Sequence, residues 1–164
     1  MSIDNLLKEN RVFKASSEFK EKAHFLDSQL YTKADQDRLG FWEEQANALT
    51  WTEKWTSVLD WQRPYAKWFV GGTLNASYNC LDVHLENQLK KPAIIWEGEL
   101  GDIKILTYES LHQQTCQFAA ALKSQFHIQK GDRITLYMPM IPEAVIAILA
   151  CARMVWYLSQ RSDK

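Results

Sequence analysis

The alternation of apolar and polar positions is sharpest between residues 93 and 154. There it predicts, in order, a hairpin, a helix, a buried strand and a second helix. The strand is Arg133–Tyr137, a β-branched and aromatic run that follows a glycine turn and stops before a proline. The second helix begins at Pro142, and its positions 144–152 are apolar on all sides, which predicts cover on more than one side. A strand and a crossover helix open an α/β domain and require a further parallel strand.

Two more elements are predicted before that strand. Strands over 93–97 and 103–106 flank a loop whose glycines, Gly98 and Gly101, we expect to take positive φ. Thr107 is placed to cap the helix that follows the hairpin. In that helix a largely apolar set recurs at spacings of three and four and defines the buried face: Tyr108, Leu111, Thr115, Phe118, Ala119, Leu122 and Phe126.

The amino-terminal part is predicted to be helical and rich in tryptophan. Residues 1–29 show no single period, which indicates an extended arm with one short helix. From residue 32 to Leu49 the apolar positions follow helical spacing and predict one amphipathic helix with Asp35 near its start. Four tryptophans then lie among basic residues over 51–68. We favour packing over stacking on nucleic-acid bases, because the whole chain has no basic excess.

Candidate ligand-binding chemistry is sparse. The loop 71–77 joins a predicted strand, Lys67–Val70, to a helix predicted over 78–89, an arrangement that can hold phosphate. It lacks a lysine at the helix entrance and the glycine spacing of phosphate loops, so we predict a plain turn with a polar helix start. Cys80 and His84 would share a face of that helix, but two ligands do not make a metal site. The remaining histidines are isolated in the sequence and are predicted to be surface or packing residues: His24, His112 and His127.

Charge and composition exclude several classes of protein. With 19 basic and 20 acidic residues the net charge is −1, which argues against nucleic acid and anionic membranes as partners. The longest apolar run, 144–152, is much shorter than the roughly 20 residues of a membrane-spanning helix. Three widely separated cysteines and a polar start without a signal-peptide pattern predict a reducing, cytoplasmic setting.

Several motifs, met in order from about Leu39 to Arg153, resemble the amino-terminal part of AMP-forming acetyl-CoA synthetase, a family of the adenylate-forming superfamily. The motifs are Phe41-Trp42, Trp68–Asn75, Ser77–Asp82, Ile94–Glu99, Leu106–Tyr108 and Tyr137–Ala144. The Trp-Glu-Gly-Glu hairpin and the Met-Pro-Met-Ile-Pro-Glu-Ala turn are most similar to the acetate enzyme among relatives that activate propionate or acetoacetate. The resemblance implies an incomplete adenylate-forming α/β fold preceded by a helical, tryptophan-rich region.

The resemblance also implies a two-step reaction. Acetate and ATP give acetyl-adenylate and pyrophosphate with the help of magnesium, and coenzyme A then takes the acetyl group. In the family the phosphate loop, the adenine and acetate pockets and the catalytic lysine come later in the chain. ATP, coenzyme A and magnesium are therefore cofactors of the full-length family, and we expect this chain to bind none of them. No catalytic, cofactor-binding or metal-binding residue is assigned.

The same resemblance divides the chain into four parts. They are an arm (1–30), the synthetase amino-terminal region (31–91), the start of the AMP-binding domain (92–154) and a divergent tail (155–164). Because relatives continue after Arg153 with an apolar residue, Gly-Ala and a strand, we expect a premature end of the reading frame. Three hypotheses follow. The chain is a synthetase fragment that is inactive alone, a non-catalytic module that docks on a full-length synthetase, or an unstable product without function.

Overall fold

The structure, a computed structural model, describes residues 12–25 and 29–154. The chain forms two compact units, Met1–Trp42 and Glu43–Lys164. The first unit contains helices α1 (Ser17–Glu21) and α2 (Gln29–Gln36) and the start of α3 (Arg38–Asn47), which continues into the second unit. The short helix predicted within the arm is α1. Residues 1–11 and 26–28 of the predicted arm lie outside the described residues, and residues 29 and 30 belong to α2 instead of the arm.

The single amphipathic helix predicted from residue 32 to Leu49 is wrong, because the chain forms α2 and α3 with a break at Asp37. The Asp37 carboxylate accepts a hydrogen bond from the backbone N–H of Gly40 at 2.9 Å. This is the bond of a helix-capping residue, so Asp37 starts a new helix instead of continuing the old one. The helical spacing of apolar residues continues through Asp37, so periodicity alone did not reveal the break.

A first β-hairpin follows α3 in the second unit. Strands β1 (Ser57–Gln62) and β2 (Tyr65–Val70) pair antiparallel, so the strand predicted at Lys67–Val70 is confirmed and is longer than predicted. Two of the four tryptophans pack as predicted: the ring centroids of Trp51 and Trp55 lie 4.9 Å apart, and that of Trp55 lies 5.2 Å from that of Phe69, whereas Trp61 is 53% exposed. These edge-on contacts are the favoured geometry for aromatic pairs, and they make this cluster a small core beside the hairpin.

The helix predicted over 78–89 is broken into three short pieces. They are α4 (Ala76–Cys80), a 3₁₀ turn (Asp82–His84) and α5 (Leu85–Gln88). The chain leaves helical geometry at Leu81, whose φ and ψ are −123° and −62°. Leu81 is almost completely buried, so the break serves to place its side chain in the core. Because of it, the prediction that Cys80 and His84 share a helical face is wrong.

The second hairpin is confirmed, with β3 (Pro92–Glu97) antiparallel to β4 (Ile103–Thr107). Gly101 has φ of +87°, as predicted for a turn glycine. Gly98 does not take positive φ, and its role is different. A Cβ atom at Gly98 would lie 2.8 Å from the indole ring of Trp96, so glycine is needed there for close approach.

The long helix α6 spans Tyr108–Phe126, and the Thr107 hydroxyl caps it by accepting from the N–H of Ser110 at 3.2 Å. Four residues of its predicted face are buried: Leu111, Thr115, Ala119 and Leu122. Phe118 and Phe126 are exposed, contrary to prediction. Phe118 lies at the edge of the stripe, and Phe126 is the last helical residue, so neither reaches the core.

Helix α7 (Pro142–Met154) packs against α6 and α4. The core joins Leu81, which lies between α4 and the 3₁₀ turn, with Leu106 of β4, Leu111 of α6 and Ile146 of α7. Two polar contacts hold the second hairpin to the approach and start of α7. The indole N–H of Trp96 donates to the Met140 carbonyl at 2.8 Å, and Lys104 forms an ion pair with Glu143. Within 12–25 and 29–154, no helix has the length and apolarity that crossing a bilayer requires.

The buried strand predicted at Arg133–Tyr137 is not formed in the described chain, where residues 132–139 belong to no strand ladder. A strand requires a hydrogen-bonded neighbour, and neither hairpin supplies one. The side chain of Tyr137 is fully exposed. Helix α7 was predicted to be covered on more than one side, and this is not observed. One side is buried through Ile146, Ala147 and Ala150, whereas Val145 and Ile148 on another side are exposed.

Candidate functional site

A cleft in the second unit has a volume of about 550 Å³. It lies where the loop after α3, the start of α4 and the end of α7 meet. Its lining combines aromatic, hydroxyl, amide and charged side chains: Thr50, Trp51, Thr52, Asn75, Tyr78, Asp82 and Arg153. A cleft of this size and mixed lining has the dimensions of a small-molecule site.

Two asparagines fix one wall of the cleft, and of the two only Asn75 lines it. The side-chain oxygen of Asn75 accepts from the N–H of Tyr78 at 3.0 Å and caps α4. Its amide nitrogen donates to the backbone carbonyls of Ala152 and Arg153, each at 3.2 Å. One turn later, Asn79 bonds both backbone groups of Thr50, accepting at 2.7 Å and donating at 2.9 Å. The wall is therefore fixed by amide contacts that span distant parts of the sequence.

A charged cluster lies at the cleft floor, which two of its members, Asp82 and Arg153, line. The guanidinium of Arg153 donates two parallel hydrogen bonds to Asp82, at 2.7 and 2.8 Å. The Nε2 atom of His112 lies 3.2 Å from an Asp82 oxygen and 3.3 Å from an Arg153 nitrogen. The sulfur of Cys116 lies 3.5 Å from the same imidazole atom. His112, which is isolated in the sequence, is thus part of a four-residue cluster in the fold.

The charges of Asp82 and Arg153 in this cluster stabilise each other. Partial burial raises the pKa of Asp82, but the hydrogen bonds and positive charge of Arg153, aided by His112, outweigh this and hold that pKa below its ordinary value. The same hydrogen bonds raise the pKa of Arg153. The Arg153 charge is therefore committed to Asp82, and the bidentate pair fixes the end of α7 to the 3₁₀ turn.

Acidification is expected to weaken this connection. Because the folded pKa of Asp82 lies below its ordinary value of 3.8, the pair stabilises the chain fully at neutral pH and loses its effect as pH falls through the folded value. Urea unfolding at pH 7, 5 and 3 should show a smaller acid loss of stability in Asp82→Asn than in the wild type. Glu143, whose pKa is also lowered by its Lys104 partner, contributes equally in both proteins. Equal acid losses would contradict the prediction.

The glycine loop before α4 is filled by protein atoms. Gly71 has φ of +78° and makes the turn after β2. A Cβ atom at Gly72 would lie 2.6 Å from the Trp51 ring and 3.1 Å from the Phe69 carbonyl oxygen, so this glycine admits the indole. The helix start that follows is already capped by Asn75. The two glycines thus serve a turn and a close packing contact.

Sequence reasoning missed the cluster on the cleft floor because its members are far apart in the chain. Asp82 and His112 are separated by 30 residues, and Asp82 and Arg153 by 71. No short motif joins them, and only the contact of α6 and α7 with the 3₁₀ turn brings them together. Across the described ranges, no three His, Cys, Asp or Glu side chains are grouped so that they could hold a metal ion.

Comparison with known proteins identifies two adjoining family matches. Residues 28–80 match the model described as "Acetyl-coenzyme A synthetase N-terminus", and residues 81–159 match the model described as "AMP-binding enzyme". Acetyl-coenzyme A synthetase of Gemmatimonas aurantiaca is 47% identical over 92% of this chain and 23% of its own length. That of Chlorobaculum tepidum is 48% identical over 93% of this chain and 24% of its own. The chain spans about a quarter of these curated relatives.

A solved structure gives the same fold. Acetoacetyl-CoA synthetase from Streptomyces lividans matches with a TM-score of 0.70 over 85% of this chain and 24% of that protein, at 24% identity. The likeness confirms the predicted fold class, a mixed helix and strand arrangement found in an acyl-CoA synthetase.

Proposed function

Since the chain belongs to the AMP-binding enzyme family and carries the acetyl-coenzyme A synthetase amino-terminal segment, we propose that it forms the first quarter of an acetate-activating ligase. The observation that carries this is the unbroken succession of the two family matches, with relatives 47 and 48% identical through almost the whole chain. The complete enzyme would join acetate to coenzyme A through acetyl-adenylate, consuming ATP in the presence of magnesium. Its setting would be the cytoplasm, which suits three free thiols.

We further propose that this part of the enzyme supports the fold and supplies no reacting group. The Arg153 cation in the cleft is already bound by Asp82, and the glycine loop is closed by Trp51. Neither site therefore has a free positive charge or open backbone for ATP phosphates, and the residues present do not fit a nucleotide. No catalytic, cofactor-binding or metal-binding residue is proposed in this chain. The division of the chain at residues 91 and 92 stays a prediction.

The proposal is tested by acetate-dependent exchange of labelled pyrophosphate into ATP. The purified chain should show no exchange above a blank without protein, because adenylate formation requires the parts of the relatives that it does not span. The full-length enzyme of Chlorobaculum tepidum, assayed at the same concentration, is the positive control. Exchange by the isolated chain would contradict the assignment of the reacting groups to the remainder of the enzyme.

The second candidate is a non-catalytic module that binds a full-length synthetase. The favouring observation is the exposed apolar face of the second hairpin, where Ile95 and Ile105 are directly opposed and Ile103 lies beside them. Exposed apolar surface of this kind is typical of protein interfaces. A pull-down of the Chlorobaculum tepidum enzyme by the tagged chain tests this candidate, and failure to retain the enzyme would exclude it.

A further inference from the structure

The cluster at the cleft floor places a thiol beside an imidazole, and the proposed function uses neither group. The Cys116 sulfur lies 3.5 Å from Nε2 and 4.0 Å from Nδ1 of His112. The two residues are one turn apart on α6, so the helix itself keeps their side chains together. Cys116 is partly exposed, so a small reagent can reach its sulfur. A cysteine in contact with a histidine is the first requirement of a nucleophilic thiol site.

Asp82 determines which imidazole nitrogen can accept a proton. Partial burial raises the pKa of Asp82, but its contacts with Arg153 and His112 hold that pKa below the ordinary value. The carboxylate is therefore ionised at neutral pH and only accepts hydrogen bonds. Because its Oδ1 atom lies 3.2 Å from Nε2 of His112, the hydrogen of the neutral imidazole is on Nε2, and Nδ1 keeps its lone pair. Nδ1 is the nitrogen that can take the Cys116 proton.

Arg153 adds a positive charge without competing for that lone pair. One guanidinium nitrogen lies 3.3 Å from Nε2 of His112 because it donates to the same Asp82 oxygen, at 2.8 Å. The hydrogen bond to Asp82 contributes most to raising the pKa of Arg153, and attraction to a Cys116 thiolate adds to it, against the opposing effect of burial. The cation therefore attracts negative charge at the Cys116 sulfur.

We propose that Cys116 is a nucleophilic modification site that forms a mixed disulfide with low-molecular-weight disulfides. This inference is independent of the proposed function. The Cys116 sulfur attacks one sulfur of the reagent, the S–S bond of the reagent breaks, and the other half leaves as a thiolate. His112 accepts the Cys116 proton at Nδ1 and passes it to the leaving thiolate. The Cys116 sulfur is oxidised and the leaving sulfur is reduced, so the reagent itself is the oxidant.

The other two cysteines provide the comparison. Cys80 is exposed, whereas Cys151 is half-buried, and burial raises the pKa of its thiol. Exposure alone predicts that Cys80 reacts first. The proposal predicts instead that Cys116 reacts first, because a positioned base assists its attack.

The experiment measures single-cysteine variants. Cys80→Ala with Cys151→Ala leaves Cys116, and Cys116→Ala with Cys151→Ala leaves Cys80. Each protein is treated with excess dithiobis(nitrobenzoic acid) at pH 7, and the coloured thiolate that is released gives the rate. We expect Cys116 to react at least about tenfold faster than Cys80, a small part of the roughly 10²–10⁴-fold that a positioned base can contribute. A Cys116 rate equal to or below that of Cys80 would overturn the proposal.

A second substitution tests the imidazole. In the Cys116-only protein, His112→Gln should slow the reaction at least about tenfold. His127→Asn, at the end of the same helix, is the control and should change the rate less than about twofold, since asparagine accepts the φ of +54° found there. An undiminished rate in His112→Gln would contradict the role given to His112.

Unfolding the Cys116-only protein in concentrated urea gives a measurement that does not depend on how a His112 variant folds. Urea exposes the sulfur fully and separates it from His112 and Arg153. A thiol that is merely half-buried reacts faster when the chain unfolds, whereas an assisted thiol reacts more slowly. We expect the folded protein to react at least about fivefold faster than the unfolded one, and the opposite order would refute the proposal.

Discussion

Replacing Arg153 by alanine is expected to lower the free energy of unfolding by about 2–3 kcal/mol, near the lower limit for breaking a buried ion pair. The side chains of Arg153 and Asp82 are 28% and 17% exposed, so removal of the cation leaves a carboxylate that water reaches poorly. The variant also loses both bonds between the end of α7 and the 3₁₀ turn. Urea unfolding followed by circular dichroism at pH 7 measures the difference.

A surface pair provides the matched control. Lys90 and Glu109 approach as closely as 2.9 Å, but their side chains are 80% and 47% exposed. Lys90→Ala should therefore cost less than about 0.5 kcal/mol. A double-mutant cycle between Arg153→Ala and Asp82→Ala should give a coupling energy of at least about 1 kcal/mol. Costs that are equal at the two pairs, or additive effects in the cycle, would show that the cleft pair contributes no more than a surface contact.

The second large effect is expected at Gly72. Gly72→Ala places a methyl group 2.6 Å from the Trp51 ring and 3.1 Å from the Phe69 carbonyl oxygen, and we expect a loss of about 1–3 kcal/mol from overpacking. Gly101→Ala is the control, because its Cβ atom would meet no atom within 4 Å and only the φ of +87° is unfavourable. Urea unfolding quantifies both losses, and near-ultraviolet circular dichroism reports rearrangement of the tryptophans.

Steric conflict and backbone strain are separated by adding Trp51→Phe to each glycine variant. The smaller ring should offset part of the Gly72→Ala loss, after allowance for the cost of Trp51→Phe alone, which removes the indole hydrogen bond to the Ala46 carbonyl. The same addition should leave the Gly101→Ala loss unchanged, since no aromatic ring is near that residue. Strict additivity at Gly72 would refute the close-packing role of this glycine.

Local sequence signals were sufficient to predict the elements that are stabilised by contacts between residues close together in the chain. The second hairpin and α6 were predictable because a glycine turn, a capping threonine and a repeated apolar spacing act within a few residues. The packing role of Trp51 and Trp55 was predictable from the sequence. The register of β1 with β2 was not. The break at Leu81 was hidden, because a leucine in a helical pattern can be buried either within the helix or by leaving it.

The prediction failed where structure depends on distant partners. Arg133–Tyr137 has the composition of a strand, yet composition cannot supply the neighbouring backbone that makes a ladder. His112 was judged isolated because proximity in sequence was the only measure, whereas α6 brings it to Asp82 and Arg153. The family resemblance rested on motifs spread over most of the chain. It was confirmed by the two family matches, which together run from residue 28 to residue 159.

The contacts of Asn75 connect the start of α4 to the end of α7 through one side chain. Its oxygen closes the start of α4, and its nitrogen holds the final carbonyls of α7. Fraying of α7 from its last turn therefore releases the side chain that orders α4, and unwinding of α4 removes a donor from α7. Through one amide group, opening at residues 152 and 153 is expected to weaken the cap of α4, and opening of α4 to weaken the end of α7.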